Sequence, residues 1–182
     1  GSAVISVLTA DYGRHAGLVR GGASSRMRGI IQPGNRVAVS WRARLSEQLG
    51  QMQIELVQSV SALLLDSPLR LSGVASMCAL LDGALPEREA QSGLFEGSAA
   101  LLDVIVLDDD NAGWIEGYVR WELGLLAAVG YRLDLARCVA SGQTNDLAFV
   151  SPKSGGAVAR HQAGSFASRM LALPMFLGGV SC

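Results

Sequence analysis

Cysteine, histidine and acidic side chains are where covalent, metal or acid–base chemistry would have to start, and in this chain they are few and scattered. Cys78, Cys138 and Cys182 lie 60 and 44 residues apart, which fits neither a disulfide framework nor a paired-ligand metal site. His15 and His161 have no Cys, His, Asp or Glu partner at ligand spacing, so no zinc site is expected from them. Cys138 has no histidine nearby in sequence and no G-x-S-x-G occurs, which leaves any catalytic triad to tertiary proximity alone. Buried structural thiols are the plainer reading of Cys78 and Cys138. The glycines of 17–22 are not followed by G-K-S/T, and Lys153-Ser154-Gly155-Gly156 runs in the wrong order for a P-loop. Asp108, Asp109 and Asp110 lack the alternating spacing and glycine of a calcium loop and read instead as a solvated run ahead of a helix.

Arginine is different. Residues 1–60 hold seven basic side chains, all arginine (Arg14, Arg20, Arg26, Arg28, Arg36, Arg42 and Arg44), against three acidic ones, a net +4. The rest of the chain holds 8 basic and 13 acidic residues, a net −5, and its Lys153 is the single lysine in the sequence. The planar guanidinium fork suits phosphate and stacks on bases. A segregated basic part therefore points toward nucleic acid, the plainer alternative being a solubilising arginine surface. The stretch Arg20-Gly21-Gly22-Ala23-Ser24-Ser25-Arg26-Met27-Arg28 reads as a loop whose backbone N–H groups can approach phosphate while Arg26 and Arg28 add charge. Stacking residues are scarce there, only Tyr12 and Trp41, so the expected affinity is backbone-led, salt-sensitive and weakly sequence-selective.

The elements that must position these arginines read as β over residues 3–57. Val4-Ile5-Ser6-Val7-Leu8, the turn signal Asp11-Tyr12-Gly13 and a second run over 16–20 predict a hairpin. Along 36–45, Val37, Val39, Trp41, Ala43 and Leu45 alternate with Arg36, Ala38, Ser40, Arg42 and Arg44, placing three arginines and a serine on one strand face. Along 51–57, Met52, Ile54 and Leu56 alternate with Gln51, Gln53 and Glu55. Short strands at this spacing suggest a small barrel or sandwich. From about residue 59 the pattern turns helical, with helices expected over 63–85, 93–107 and 111–130 and Pro68 and Pro86 as breakers. The third carries Trp114, Tyr118, Trp121 and Leu125 at helical steps, a core stripe in the company of Leu and Val. Residues 140–163 read as irregular, and 166–177 as a further helix interrupted by Pro174.

With 182 residues, 49% hydrophobic and 17% charged, the chain can bury a core, and global disorder is excluded. Its apolar runs break well short of the roughly 18 residues of a membrane span. No secretion signal is visible and the cysteine usage fits a reducing compartment, so a cytoplasmic location is expected. The missing initiator methionine and the stop at Cys182 suggest a chain incomplete at both ends.

Thr9-Ala10-Asp11-Tyr12-Gly13-Arg14, then Gly17-Leu18-Val19-Arg20-Gly21-Gly22-Ala23, Gln32-Pro33, Trp121-Glu122-Leu123, Leu125-Leu126, Gly130-Tyr131, Leu135 and Cys138 follow one another over some 130 positions. In that order they resemble the bacterial recombination mediator family RecO. The resemblance implies an α+β chain: an N-terminal OB-fold-like β-barrel over 1–60, its first strand apparently missing, followed by an α-helical domain over 61–182. It also implies a non-enzymatic, nucleoid-associated role in the RecF pathway of DNA repair and homologous recombination. Such a protein binds single- and double-stranded DNA, anneals complementary strands, and with RecR helps RecA load on DNA coated by single-strand-binding protein. The seven arginines named above are then the DNA-binding candidates.

Many family members carry a zinc module with two C-x-x-C pairs. Here the first pair reads Cys138-Val139-Ala140-Ser141 and the second Ala159-Arg160-His161-Gln162, so a metal-free version is expected over about 138–163, with no metal or other cofactor. Within the family the helical domain binds the acidic tail of single-strand-binding protein. Arg120, the one basic residue in the matching helix, is the candidate for pairing its carboxylates, the plainer reading being an i, i+4 pair with Glu116. Two alternatives stand beside the mediator: a protein-interaction domain without DNA binding, and an enzyme whose site is assembled by the fold around Cys138 and His161.

Overall fold

The computed structural model describes residues 1–45, 47–108 and 112–180. They fall into two compact units, Gly1–Tyr118 and Val119–Cys182. In the first, the predicted hairpin is β1 (Ala3–Thr9) and β2 (Gly13–Val19), antiparallel from Ala3↔Val19 to Thr9↔Gly13. The turn is fastened by the Thr9 hydroxyl, which donates to the Gly13 carbonyl at 3.0 Å and accepts from the Tyr12 N–H at 3.1 Å. The predicted loop after β2 contains a short helix, α1 (Ser25–Ile30), because the Ser24 side chain accepts the Met27 N–H at 3.3 Å and so caps its first turn.

The two alternating stretches become β3 (Arg36–Arg42) and β4 (Gln51–Gln58). They pair antiparallel with Val37 opposite Leu56, Val39 opposite Ile54 and Trp41 opposite Met52, after an irregularity between Arg36 and Val37. Val19, Met52 and Ile54 are buried, and Ile5, Val7, Met27, Ile30, Val37 and Trp41 pack on them. Each full burial is worth roughly 1.5–3 kcal/mol. Sheet order is β1-β2-β4-β3. The sheet is open, not a closed barrel: among the described residues β1 and β3 are its edges, and β2 meets β4 only at the parallel step Leu18↔Gln51.

Helices follow where the 3.6-residue pattern begins. Pro68 opens rather than breaks one: α2 (Val60–Leu63) ends early, and α3 (Pro68–Ala84) starts with that proline in its first turn, where no N–H is needed. Next come α4 (Ser92–Leu107) and α5 (Ala112–Ala128). Of the acidic run, Asp109 and Asp110 lie outside the described residues. Asp108 accepts the Trp114 N–H at 2.7 Å, a capping carboxylate at the positive end of α5. Trp114, Trp121 and Leu125 are buried, as a core stripe should be.

The second unit adds a sheet to the α-helical domain expected over 61–182, in and around the stretch expected to be irregular. Residues 134–172 hold a four-stranded sheet of order β5-β7-β6-β8: β5 (Asp134–Cys138), β6 (Leu147–Val150), β7 (Gly156–Ala159) and β8 (Leu171–Ala172). All of β7 and most of β6 are buried, which erases the alternation that marks a half-buried strand. Between β7 and β8 lie α6 (Arg160–Ala163) and a 3-10 helix, Gly164–Arg169. The helix expected over 166–177 is therefore a 3-10 turn, a two-residue strand and a second 3-10 turn, Met175–Leu177.

Candidate nucleic-acid interface

The seven arginines divide into two groups. Arg14, on β2, is the most enclosed, with its side chain 18% exposed. Its Nε donates to the Leu85 carbonyl at 2.8 Å, and Nη1 lies 3.1 Å from Asp82 and 3.6 Å from Glu87. Arg36, at the start of β3, donates from Nη2 to the Ala99 carbonyl and to Asp103, both at 2.8 Å. These two arginines fasten the sheet to α3, to the segment after it and to α4. Arg20, Arg26, Arg28, Arg42 and Arg44 are exposed and have no carboxylate partner among the described residues. Arg26 and Arg28 stand on α1 rather than in an extended loop.

Arg20 and Arg42 are brought to one place by the way the sheet splits. The Leu18 N–H donates to the Gly50 carbonyl at 3.0 Å; β2 then ends at Val19 and the chain turns away at Gly21, whose φ of 70° is glycine territory. β4 runs on without that neighbour. The gap is a pocket of about 430 Å³ lined by Leu18, Val19, Arg20, Met27, Ser40, Arg42 and Gln51 to Ile54. Its floor (Val19, Met52, Ile54) is buried, and its rim (Arg20, Ser40, Arg42, Gln51, Gln53) is exposed. Sequence reasoning missed Ser40, Gln51 and Gln53 as site residues, although their alternation with Trp41, Met52 and Ile54 already put them on the arginine face.

Neither aromatic candidate lies in this pocket. Tyr12 is exposed at the β1–β2 turn. Trp41 is spoken for: its Nε1 donates to the Leu49 carbonyl at 2.8 Å, the Arg88 guanidinium lies over its ring at 5.4 Å, and the His15 ring meets it at 4.6 Å. His15 is buried, and both its ring nitrogens lack a hydrogen-bond partner among the described residues. Burial pushes its pKa below the ordinary value, helped by the Arg88 charge and opposed by Glu87. Arg88 belongs to a strap laid along β2, where its N–H donates to the Arg14 carbonyl at 2.7 Å. The approach is so close that a Cβ on Gly13 would run into the Glu89 carbonyl.

In the second unit Cys138 is 1% exposed, and its sulfur accepts the Ala159 N–H at 3.3 Å. Burial alone would raise this thiol. Hydrogen bonds from the Ser141 side chain and from the backbone at Ala159, Ala140 and Ser141 outweigh it and bring the pKa down to about 7. Donors thus surround the sulfur at the position where the family module would have its first ligand. Among the described residues no group of three or more His, Cys, Asp or Glu side chains could hold a metal ion. His161 lies 3.8 Å from Asp146. Arg120 donates to the Phe176 carbonyl at 2.9 Å and stacks over that ring at 5.3 Å. No helix among the described residues is long and apolar enough to cross a membrane.

Family models place both parts of the chain: residues 1–60 match "Recombination protein O N terminal" and residues 65–181 match "Recombination protein O C terminal". The chain is 49% identical to a DNA repair protein RecO of Rhodospirillum centenum over 182 residues, covering 99% of this chain and 71% of the relative. It is likewise 49% identical to the protein of that name from Cereibacter sphaeroides, covering 98% of this chain and 72% of the relative. For a third, from Rhodospirillum rubrum, the figures are 45%, 96% and 70%.

Proposed function

The chain belongs to the RecO family of DNA repair and recombination proteins, and from that premise we propose that it acts as a recombination mediator of the RecF pathway. In this reading residues 1–60 bind single- and double-stranded DNA and anneal complementary strands. Residues 61–182 meet protein partners, and with RecR the protein helps RecA load on DNA coated by single-strand-binding protein. The observation that carries the DNA part is the division of the arginines. Five of the seven have no carboxylate partner among the described residues, and two of those five share one pocket. Guanidinium groups left unneutralised on one sheet and its adjoining helix are what phosphate contact requires. We therefore assign DNA contact to Arg20, Arg26, Arg28, Arg42 and Arg44. Arg14 and Arg36 are spent within the chain.

The test is annealing of complementary strands coated with single-strand-binding protein, with and without RecR, across a salt series. The mediator reading expects acceleration that fades as salt rises. A rate equal to that without protein at every salt concentration would overturn it. Arg120, already bonded to Phe176, keeps the tail of single-strand-binding protein as its proposed partner. Arg120→Ala should weaken capture of that tail and leave DNA affinity unchanged.

A further inference from the structure

Resting on the annealing reading above, we propose that one end of the second sheet is a separate phosphate-binding surface, which holds the second of the two strands being annealed. The charge of the second unit motivates it. Residues 61–118 hold 2 basic and 10 acidic residues, whereas 119–182 hold 6 basic and 3 acidic ones, so the negative balance after residue 60 hides a basic unit. Topology gathers three of its six cations. In the order β5-β7-β6-β8, β5 runs parallel to β7 and β6 antiparallel to both its neighbours, so the start of β5, the β6–β7 turn and the start of β8 fall at the same end. Arg132 stands two residues before β5, Lys153 in that turn, and Arg169 two residues before β8. The turn lies against the Arg132 segment: the Asp134 N–H donates to the Gly155 carbonyl at 3.2 Å, and a Cβ on Gly155 would meet the Leu133 side chain.

Arg132, Lys153 and Arg169 are exposed, and none has a carboxylate partner among the described residues. The acidic residues of this unit are engaged or elsewhere. Asp134 lies 3.6 Å from Arg137 and accepts the Ala136 N–H at 3.2 Å. Asp146, 3.4 Å from Arg160, precedes β6 at the opposite end of the sheet, and Glu122 is on α5. Three strand-to-strand steps of about 4.8 Å spread the row over about 14 Å, the length of about four phosphates of a stacked strand at about 3.4 Å each. Ser154 and Ser168 are exposed, and each is next in sequence to a member of the row; their hydroxyls are donors of the kind that join Lys and Arg on phosphate. Tyr131, exposed beside Arg132, adds a ring on which a base can stack. With three charges against the five assigned on residues 1–60, this is the weaker surface, suited to a strand that must be released once paired.

The experiment places Arg132→Glu, Lys153→Glu and Arg169→Glu together in the full chain. Single-strand affinity is read by fluorescence anisotropy, and annealing of complementary oligonucleotides by energy transfer between end labels. Affinity for one strand should stay within about twofold of wild type, because the first unit holds it, while the annealing rate should fall about tenfold. The neutral set Arg132→Gln, Lys153→Gln and Arg169→Gln should lower the rate less, and it decides the matter should the reversed set fail to fold. Annealing at the wild-type rate overturns the second surface and leaves the mediator reading standing. Loss of single-strand affinity in step with annealing also overturns it, since the row would then serve the first strand. Loss of binding to an acidic peptide, with annealing unchanged, makes the row a protein site and overturns it too. A wild-type chain that anneals no strands overturns the annealing reading and this proposal together.

Discussion

The imidazole of His15 meets the indole of Trp41 edge to face, with ring centroids 4.6 Å apart and planes at 82°. Both imidazole nitrogens are buried without a hydrogen-bond partner among the described residues, and the charged groups facing the ring are Arg88 and Glu87 from the strap. The neutral form is therefore the one the fold accepts. The folded-state pKa lies below the unfolded value of about 6.5, so the unfolded chain binds the extra proton first. The His15 contribution to stability should be complete above about pH 6.5 and should fall as the pH drops from there toward the folded-state pKa. Thermal melts between pH 5 and 8 check this. His15→Phe keeps the edge-to-face contact, cannot titrate, and should flatten the acid side of the curve.

Arg36 and Arg42 sit at opposite ends of β3, and their substitutions should separate stability from binding. Arg36→Ala removes the bonds to Ala99 and Asp103 and should cost about 1–2 kcal/mol of stability with little change in DNA affinity. Arg42→Ala removes no ion pair. It should leave the melting curve in place, weaken binding to all DNA sequences alike, and lower the salt slope by about 0.7 on single strands. Denaturant titration and anisotropy on the same two variants test the contrast.

Cys138 provides a second prediction of the same pH sense, placed higher on the pH scale. Its folded-state pKa of about 7 lies below the ordinary thiol value, so the stability from the thiolate is full above the unfolded pKa and is lost as pH falls through about 7. Melts from pH 6 to 9 should therefore rise with pH. Cys138→Ala should abolish that rise and, by leaving the Ala159 N–H without an acceptor, cost about 1–3 kcal/mol. A chelator should not shift the melting temperature of the wild-type protein, because among the described residues no three His, Cys, Asp or Glu side chains stand together to hold an ion.

Period-two alternation made most of the first sheet legible. The alternation sets Val37, Val39 and Trp41 on one apolar face and Met52, Ile54 and Leu56 on another, and these are the faces that pair, while the register itself is set by the fold. The Trp114, Trp121 and Leu125 stripe was equally plain, since helical spacing and burial agree. The partners of Arg14 and Arg36 were not legible: Asp82 and Asp103 stand 68 and 67 residues away, and no local pattern says which carboxylate will claim which guanidinium. The strap was hidden for a similar reason. Arg88 takes a φ of 63°, an unusual conformation for a residue with a Cβ, and its alignment with β2 is set by tertiary contacts. The second sheet was missed because Gly156–Ala159 is buried at every position, leaving no polar face to betray a strand. The pocket needed the strands' ends as well as their faces, for it opens only because β2 stops at Val19 while β4 continues.

The most direct test of the central claim is single-stranded DNA affinity measured across a salt series for the wild-type chain and for a variant carrying Arg20→Glu, Arg26→Glu, Arg28→Glu, Arg42→Glu and Arg44→Glu. The account predicts that wild-type affinity falls linearly with salt on logarithmic axes, at about 0.7 per phosphate contact. In the variant, affinity should be lost for every sequence and the slope flattened. A wild-type protein that is not retained on single-stranded DNA at low salt, or a folded variant that binds as the wild type does, would contradict it.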